Sequence, residues 1–363
     1  MTEHILLVEP NYYSQFPPIG LLKLSSLEKS KGNTTELVRK NESPKNEPDK
    51  IYVTSLFTWA WKDVWRSIGY YKSQFPESEI FLGGLYASLL PDHARLSGVN
   101  KLITGLNNEA EEMMPDYGLV PEWDGSIIFA SRGCINNCLY CAVPKLEGKI
   151  CLEKSSILKY IYQNHTKIYF FDNNILAMKY WREIFKELID VDKEVDFNQG
   201  IEARIITPEV VKYISEIKIS YIRLAYDRPE ERKYVEKAIK LLDENGIDKR
   251  NIFVYTLFNF NESPDDFFFR VRDIINWGAT CYPMRFQPIY TLEKDSYISP
   301  KWTPELLEQI ASARRIFGYG GAFPPYQGLV EKFNISKNFL EGFSLYHIKK
   351  DEKIKIQFDK IIF

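Results

Sequence analysis

Three of the chain's five cysteines, Cys134, Cys138 and Cys141, fall within eight residues in the spacing C-x3-C-x2-C. No other feature of the sequence limits the fold as strongly. A thiolate is a soft ligand suited to iron–sulfur clusters, and three thiolates on one short loop can hold three irons of a [4Fe–4S] cube. The fourth iron is then left without a protein ligand and open to a small molecule, so the loop reads as a reactive site. A zinc knot and three structural thiols are the alternatives. Zinc calls for a fourth Cys or His at a suitable offset, and Cys151 lies ten residues beyond Cys141. Thiols this close together do not suit a secreted disulfide framework, and an oxygen-sensitive cluster needs a reducing compartment.

The rest of the chain has to supply a scaffold for that loop. A length of 363 residues suggests two domains or one large α/β unit. The 47 basic and 49 acidic side chains give a formal charge of -2, so no global field advertises a nucleic-acid or membrane partner. The N-terminus lacks a basic stretch followed by a long apolar run, and no segment has the length of a membrane span. A cytoplasmic protein with no membrane partner is expected.

Residues 1–115 alternate β-rich and helical patterns, as an α/β domain with a parallel sheet does. Strands are expected at 5–8, 51–56, 80–84 and 101–104, with helices at 19–27 and 61–75. A linker is expected at 116–125, inside a Pro-rich and acidic stretch. From residue 126 a second series begins, with strands at 126–130, 167–171, 195–201, 221–226, 252–258 and 284–290. Helical patterns are read at 155–165, 177–188, 231–242 and 265–277. Six strand–helix repeats are what a partial (βα)6 TIM-type barrel requires, and chemistry in such barrels gathers at the C-terminal ends of the strands. The barrel is expected over 126–295 and a C-terminal extension over 296–363. In that extension a helix is read at 304–317, followed by a Gly-, Pro- and aromatic-rich loop at 318–326 able to close over a substrate. An edge strand at 353–358, with a turn at Asp351-Glu352, completes it.

With Tyr140, an aromatic residue, directly before the third cysteine, the loop resembles the radical SAM superfamily motif C-x3-C-x-Φ-C. The resemblance implies a [4Fe–4S] cluster on the three cysteines, S-adenosylmethionine chelated to the open iron, and reductive cleavage to a 5′-deoxyadenosyl radical. It places Tyr140 beside the cofactor and implies an electron donor such as flavodoxin or ferredoxin. The substrate class it leaves open: a small molecule, a peptide or a nucleotide. The Pro-Pro-Ile-Gly-Leu run after the first strand and Leu-Gly-Gly-Leu-Tyr-Ala-Ser resemble the Rossmann-like cobalamin-binding-type domain that precedes many radical SAM barrels. The cobalt-ligating pattern D-x-H-x-x-G is absent, and neither His4 nor His93 takes its place. Bound cobalamin and a substrate-platform role therefore both stay open for this domain.

Candidate cofactor residues follow at the strand ends. Asp172, Asn173 and Asn174 stand where the family carries a short polar run, often G-G-E, for the amino group of S-adenosylmethionine; an Asx turn capping the next helix explains them equally. Asn, Gln, Glu and Arg crowd together at 198–204 on an otherwise apolar strand, which is costly unless they meet solvent or ligand groups. Arg204 can fork onto a carboxylate and Glu202 can accept from a ribose hydroxyl, or the two can pair internally. Asp227 can accept from ribose hydroxyls or a substrate amine, or cap the next helix. The segment from Asn259 to Ser263 resembles the family's G-x-P-G-E-[TS], with Asn tolerating left-handed backbone where the family has Gly, and with helix capping as the simpler role for Glu262. Arg285 and Gln287 share one face of the sixth strand. Cys281 reads as packing, and it and Cys151 alone cannot hold a second cluster. A non-catalytic iron–sulfur binding or sensing protein is the competing function.

Overall fold

The computed structural model describes residues 2–344. Five strands form the first sheet: β1 (His4–Glu9), β2 (Thr34–Arg39), β3 (Lys50–Ser55), β4 (Glu79–Gly84) and β5 (Lys101–Leu102). All pairings are parallel, in the order β2-β1-β3-β4-β5. A parallel strand covered on both faces has to be apolar throughout, and Ile5, Leu6, Leu7 and Val8 of β1 are fully buried. Ile5 and Leu7 cluster with Leu21 of the helix Ile19–Ser30, while Leu6 and Val8 cluster with Val64 and Ile68 of the helix Trp61–Gln74. One helix therefore covers each face. This strand order has its switch point between β1 and β3, where the loops part and leave a crevice at the strand ends. Aromatic side chains stand on those loops: Phe57 stacks on Trp59 at 4.5 Å and meets Tyr12 edge-on at 6.2 Å.

The second unit has six parallel strands: β6 (Ser126–Ile128), β7 (Lys167–Phe170), β8 (Glu194–Phe197), β9 (Ile222–Ala225), β10 (Ile252–Phe258) and β11 (Thr280–Arg285). They run as β6-β7-β8 and β9-β10-β11. The two halves meet through the bridge Val195–Ile219, where the amide of Val195 donates to the carbonyl of Lys218 at 2.8 Å. Helices Trp181–Val191, Pro208–Glu216, Arg232–Glu244 and Pro264–Asn276 lie between successive strands, giving a partial (βα)6 barrel after a Rossmann-like domain.

Several expected elements differ. β2 was not anticipated. The helical pattern at 155–165 yields only a three-residue turn, Leu158–Tyr160. The sixth strand lies earlier than 284–290 and contains Pro283, tolerated because β11 is at the edge of its sheet. The loop at 318–326 is not a free lid: Phe323 is fully buried and exchanges two backbone hydrogen bonds with Cys281 of β11, at 3.0 and 2.7 Å. Helices Gln327–Ile335 and Phe339–Phe343 then pack on the barrel's last helix through Phe268–Phe333 and Phe267–Phe343 stacking. The strand read at 353–358 and its turn lie outside the described residues. Among the described residues no helix is long and apolar enough to cross a membrane.

The stretch read as a linker, 116–125, is tightly packed. Tyr117 and Val120 are buried with Leu22, and the Asp116 carboxylate accepts from Ser25 and Lys29, both at 2.6 Å. Phe16, on the loop after β1, packs edge-on against Trp123, Tyr169 and Phe171. The Tyr117 hydroxyl accepts the amide of Ile127 in β6 at 2.7 Å. Replacing Tyr117 by Phe leaves that buried amide without an acceptor, a loss of about 1–3 kcal/mol. Urea denaturation should show it as a lower midpoint; an unchanged midpoint would mean the contact contributes nothing.

Candidate cofactor site at the barrel mouth

The chain leaves β6 through Ala130 and Ser131, whose amides donate to the two carboxylate oxygens of Asp172 at 2.9 and 2.5 Å; the Ser131 hydroxyl adds a third bond at 2.8 Å. Burial pushes Asp172 up to about 6 against these bonds. Arg132 then pairs backbone to backbone with Cys151, and Gly133 turns with φ of +79°. A methyl group on Gly133 would lie 2.2 Å from the carbonyl oxygen of Lys149, so no side chain fits there. Glu147 accepts the Gly133 amide at 2.8 Å and the Asn173 amide group at 2.9 Å.

Beyond that turn, Cys134, Cys138 and Cys141 line a cavity of about 200 Å³ at the C-terminal ends of the strands, together with Tyr140, Asn173, Glu202, Arg204 and Asp227. The Cys134 sulfur accepts from the Asn136 amide at 3.4 Å and from the Asn174 side chain at 3.7 Å, and the Cys141 sulfur from the Val143 amide at 3.4 Å. Such N–H donors favour the thiolate form that a metal needs. Burial raises the Cys138 and Cys141 thiols above their ordinary range, so binding of a cluster would release their protons. Among the described residues no three Cys, His, Asp or Glu side chains close on one point that a single ion would fill. A cube takes each thiolate at a different iron and needs no such convergence. The donor set therefore fits a cluster.

Opposite the thiols, Glu202 and Arg204 form a two-bonded pair at 2.8 and 2.7 Å, and Asn136, from inside the cysteine motif, donates to Glu202 at 2.8 Å. Burial pushes Glu202 up, but its bonds to Arg204 and Asn136 outweigh this and hold the carboxyl below its usual range. Asp227 accepts the Tyr140 hydroxyl at 2.8 Å and the Leu257 amide at 2.8 Å; burial pushes it up to about 6. The two carboxylates thus tie the loop to the ends of β8 and β9.

Some candidate residues are engaged elsewhere. Asp172 faces the loop backbone, and Asn174 is buried against Cys134. Asn259, with φ of +64°, is fully buried and bonds the Tyr297 carbonyl and the Ser299 amide at 3.0 and 2.9 Å. Glu262 is not the cap of the last barrel helix: Ser263 and Asp266 form its capping box, and the Glu262 carbonyl accepts from Trp302. Gln287 donates to Asp295 at 2.9 Å, and Arg285 turns to the same loop. None of these three, Asn259, Glu262 or Gln287, is among the described residues lining the cavity. Asn136, Glu231 and Tyr234 do line it and were not anticipated. Asn136 alternates with Cys138 and Tyr140 along the loop, a period-two signal that pointed to the same side.

No family model matches the sequence, and no curated protein matches it. Solved structures do. The radical S-adenosylmethionine methyltransferase TsrM from Kitasatospora setae, with cobalamin and a [4Fe–4S] cluster bound, superposes with a TM-score of 0.66 at 13% identity, over 88% of this chain and 80% of that one. The same enzyme with tryptophan substrate and the analogue aza-SAM gives 0.65 at 12% identity, over 85% and 77%. The chain thus shares the fold of that radical SAM enzyme over most of its length.

The sharp turn at Gly133 should be indispensable to the loop. Gly133→Ala should lower the melting temperature and speed the reaction of the loop cysteines with a thiol reagent, since an L-residue in this backbone region costs about 1–2 kcal/mol before the clash is counted. Wild-type thiol kinetics in this variant would refute the tight-turn account.

Proposed function

We propose that this protein is a radical SAM enzyme in which Cys134, Cys138 and Cys141 hold a [4Fe–4S] cluster and S-adenosylmethionine occupies the open iron. The observation carrying the proposal is that three thiols, a fixed Glu–Arg pair and a half-buried Tyr–Asp pair line one cavity at the strand ends of a partial barrel. Such a cluster, when bound and reduced, supplies the electron that cleaves S-adenosylmethionine to methionine and a 5′-deoxyadenosyl radical, which abstracts hydrogen from substrate. The protein's part is to bind and orient. Arg204, held by Glu202, presents a planar fork suited to a carboxylate. Tyr140 and Asp227 offer a ring edge and a buried acceptor toward the nucleoside, and Asn173 closes the wall near Cys134. The substrate, a small molecule, peptide or nucleotide, is held between the N-terminal domain and the barrel mouth. An oxygen-sensitive cluster of this kind belongs in the reducing cytoplasm.

A second reading, methyl transfer through cobalamin, is favoured by the strand order of the first domain. Its switch-point crevice carries Tyr12, Phe57 and Trp59 on loops beside the barrel, and TsrM binds cobalamin on the same fold. Neither histidine of the first domain is free to ligate a corrinoid at that crevice. His4 bonds Thr34 at the opposite end of the sheet, and His93 bonds the buried Tyr86 hydroxyl at 2.6 Å.

The test is anaerobic reconstitution with iron, sulfide and hydroxocobalamin, desalting, a visible spectrum, and incubation with dithionite and S-adenosylmethionine. Cluster absorption that Cys134→Ala, Cys138→Ala and Cys141→Ala each abolish, with 5′-deoxyadenosine formed only by the wild type, is the expected result. Retained corrinoid bands with S-adenosylhomocysteine establish the methylase reading. A cluster that never consumes S-adenosylmethionine would sink the enzyme proposal in favour of an iron–sulfur sensor.

A further inference from the structure

Asn174 is the third polar residue after β7, and it is 3% exposed. Its amide group has to find partners inside the protein or stay unpaired. It stands in the N-cap position of the short turn Ile175–Ala177, yet its side chain makes no capping bond. It is not among the described residues lining the cavity, where its neighbour Asn173 stands. The two uses its place in the sequence suggests, capping the next turn and touching a ligand in the cavity, are therefore not the ones it serves.

What the side chain does instead is donate to the Cys134 sulfur, at 3.7 Å. Among the described residues that sulfur is its only hydrogen-bonding partner, since the other end of the amide, Oδ1, is buried with none. A buried amide with an unpaired acceptor is a poor device for stability, because an apolar side chain of the same shape fills the space without that loss. The bond also differs in kind from the other N–H groups on the thiols. Asn136 and Val143 donate through the main chain, each two residues beyond the cysteine it bonds, so the loop supplies them whatever side chains it carries. Asn174 reaches in from a different strand end, 40 residues away in sequence, and gives Cys134 a second donor. Asp172, two residues earlier, bonds the loop's entry at Ala130 and Ser131 and so keeps the amide in register with the sulfur.

We propose that Asn174 is a positioning residue that sets the reduction potential of the cluster on Cys134, Cys138 and Cys141 by donating its amide N–H to the Cys134 thiolate. The inference rests on the cluster-binding part of the proposed function and not on cleavage of S-adenosylmethionine. Hydrogen bonds to the sulfurs are among the levers a protein has on a cluster's potential. An N–H group aimed at a sulfur stabilises negative charge there, and the reduced cluster carries one electron more than the oxidised one. The bond therefore favours the reduced state and raises the potential. Reduction takes one electron from an outside donor, with no bond made and no proton moved; Asn174 shifts only where that equilibrium lies.

Wild type, Asn174→Leu and Asn174→Ser are reconstituted anaerobically with iron and sulfide and titrated with dithionite and viologen mediators, without S-adenosylmethionine. The cluster is followed by visible absorption and by the electron paramagnetic resonance of its reduced form. Leucine fills the volume with no donor, and the serine hydroxyl is too short to reach the sulfur. At a fixed poise the ratio of reduced to oxidised cluster should fall roughly tenfold in each variant, which is about 59 mV for a one-electron couple. The melting temperature of cluster-free Asn174→Leu should not fall, because the substitution also removes the unpaired Oδ1. Wild-type potentials in both variants overturn the proposal, and a lowered melting temperature beside them marks a packing role. Loss of the cluster from both variants also overturns it, since Asn174 then serves assembly and not potential. A wild type that binds no cluster overturns this proposal and the proposed function together. A wild-type cluster that leaves S-adenosylmethionine intact defeats the enzyme reading alone, and the potentials still decide the role of Asn174.

Discussion

The carboxylate of Asp172 sits at the end of β7 but spends its hydrogen-bonding capacity on the neighbouring strand, accepting three donors from Ala130 and Ser131. This decides the direction in which the chain leaves β6. A buried carboxylate is costly without partners, and a strand end curving into a loop has amides with no ladder to join. Each deficit satisfies the other. With the exit fixed, Gly133 makes the one turn that brings Cys134 toward the cavity, and Glu147 and the Arg132–Cys151 bridge hold the turn from the other side. The three thiols are therefore positioned by residues that never face them.

A second set of buried charges ties this loop to the first domain. Lys23 of the helix Ile19–Ser30 reaches Glu111 at 2.9 Å; Arg132 lies 3.7 Å from Glu111 and 3.5 Å from Glu147. The signs alternate along the chain of four, and both cations lie over the ring of Phe129. Burial pulls the Lys23 ammonium below its usual range, and the Glu111 carboxylate opposes it. Buried pairs of this kind add little net stability, yet removing one member strands the other. They bridge the helix Ile19–Ser30, through Glu111, to the residue that precedes the Gly133 turn.

What the sequence revealed follows from which forces act locally. β10 was readable to the residue because Ile252–Phe258 is a short continuous run of β-branched, aromatic and aliphatic residues. The cysteine motif and the left-handed Asn259 were readable because chemistry or backbone geometry restricts the residue type. β2 was not, since Thr34, Thr35, Glu36 and Arg39 on an edge strand carry no apolar alternation. Ile157, Tyr160 and Ile161 imitate a helical stripe, but Ile157 and Tyr160 are core residues of the barrel and the backbone is taken up by tertiary contacts such as Ile157 to Glu187. Glu262 matched a family pattern by identity, while the capping work went to Ser263 and Asp266 because their spacing satisfies the helix's free amides.

The departure from G-G-E after β7 has a physical reading in the same terms. Of Asp172, Asn173 and Asn174 only Asn173 lines the cavity, and its amide group is already donated to Glu147. Glu202 is held by Arg204 and Asn136, Asp227 by Tyr140 and Leu257, and Glu231 by the amides of Asp227 and Arg228. The acidic groups around the cavity are thus ordered before a ligand arrives, and the cost of ordering them belongs to folding rather than to binding. Such a wall gives up no negative charge cheaply. Its accessible charge is the Arg204 guanidinium, with about a third of its side chain exposed, so on the proposed reading a ligand carboxylate is the anchor and the amino group is received by lone pairs of carboxylates that keep their internal partners.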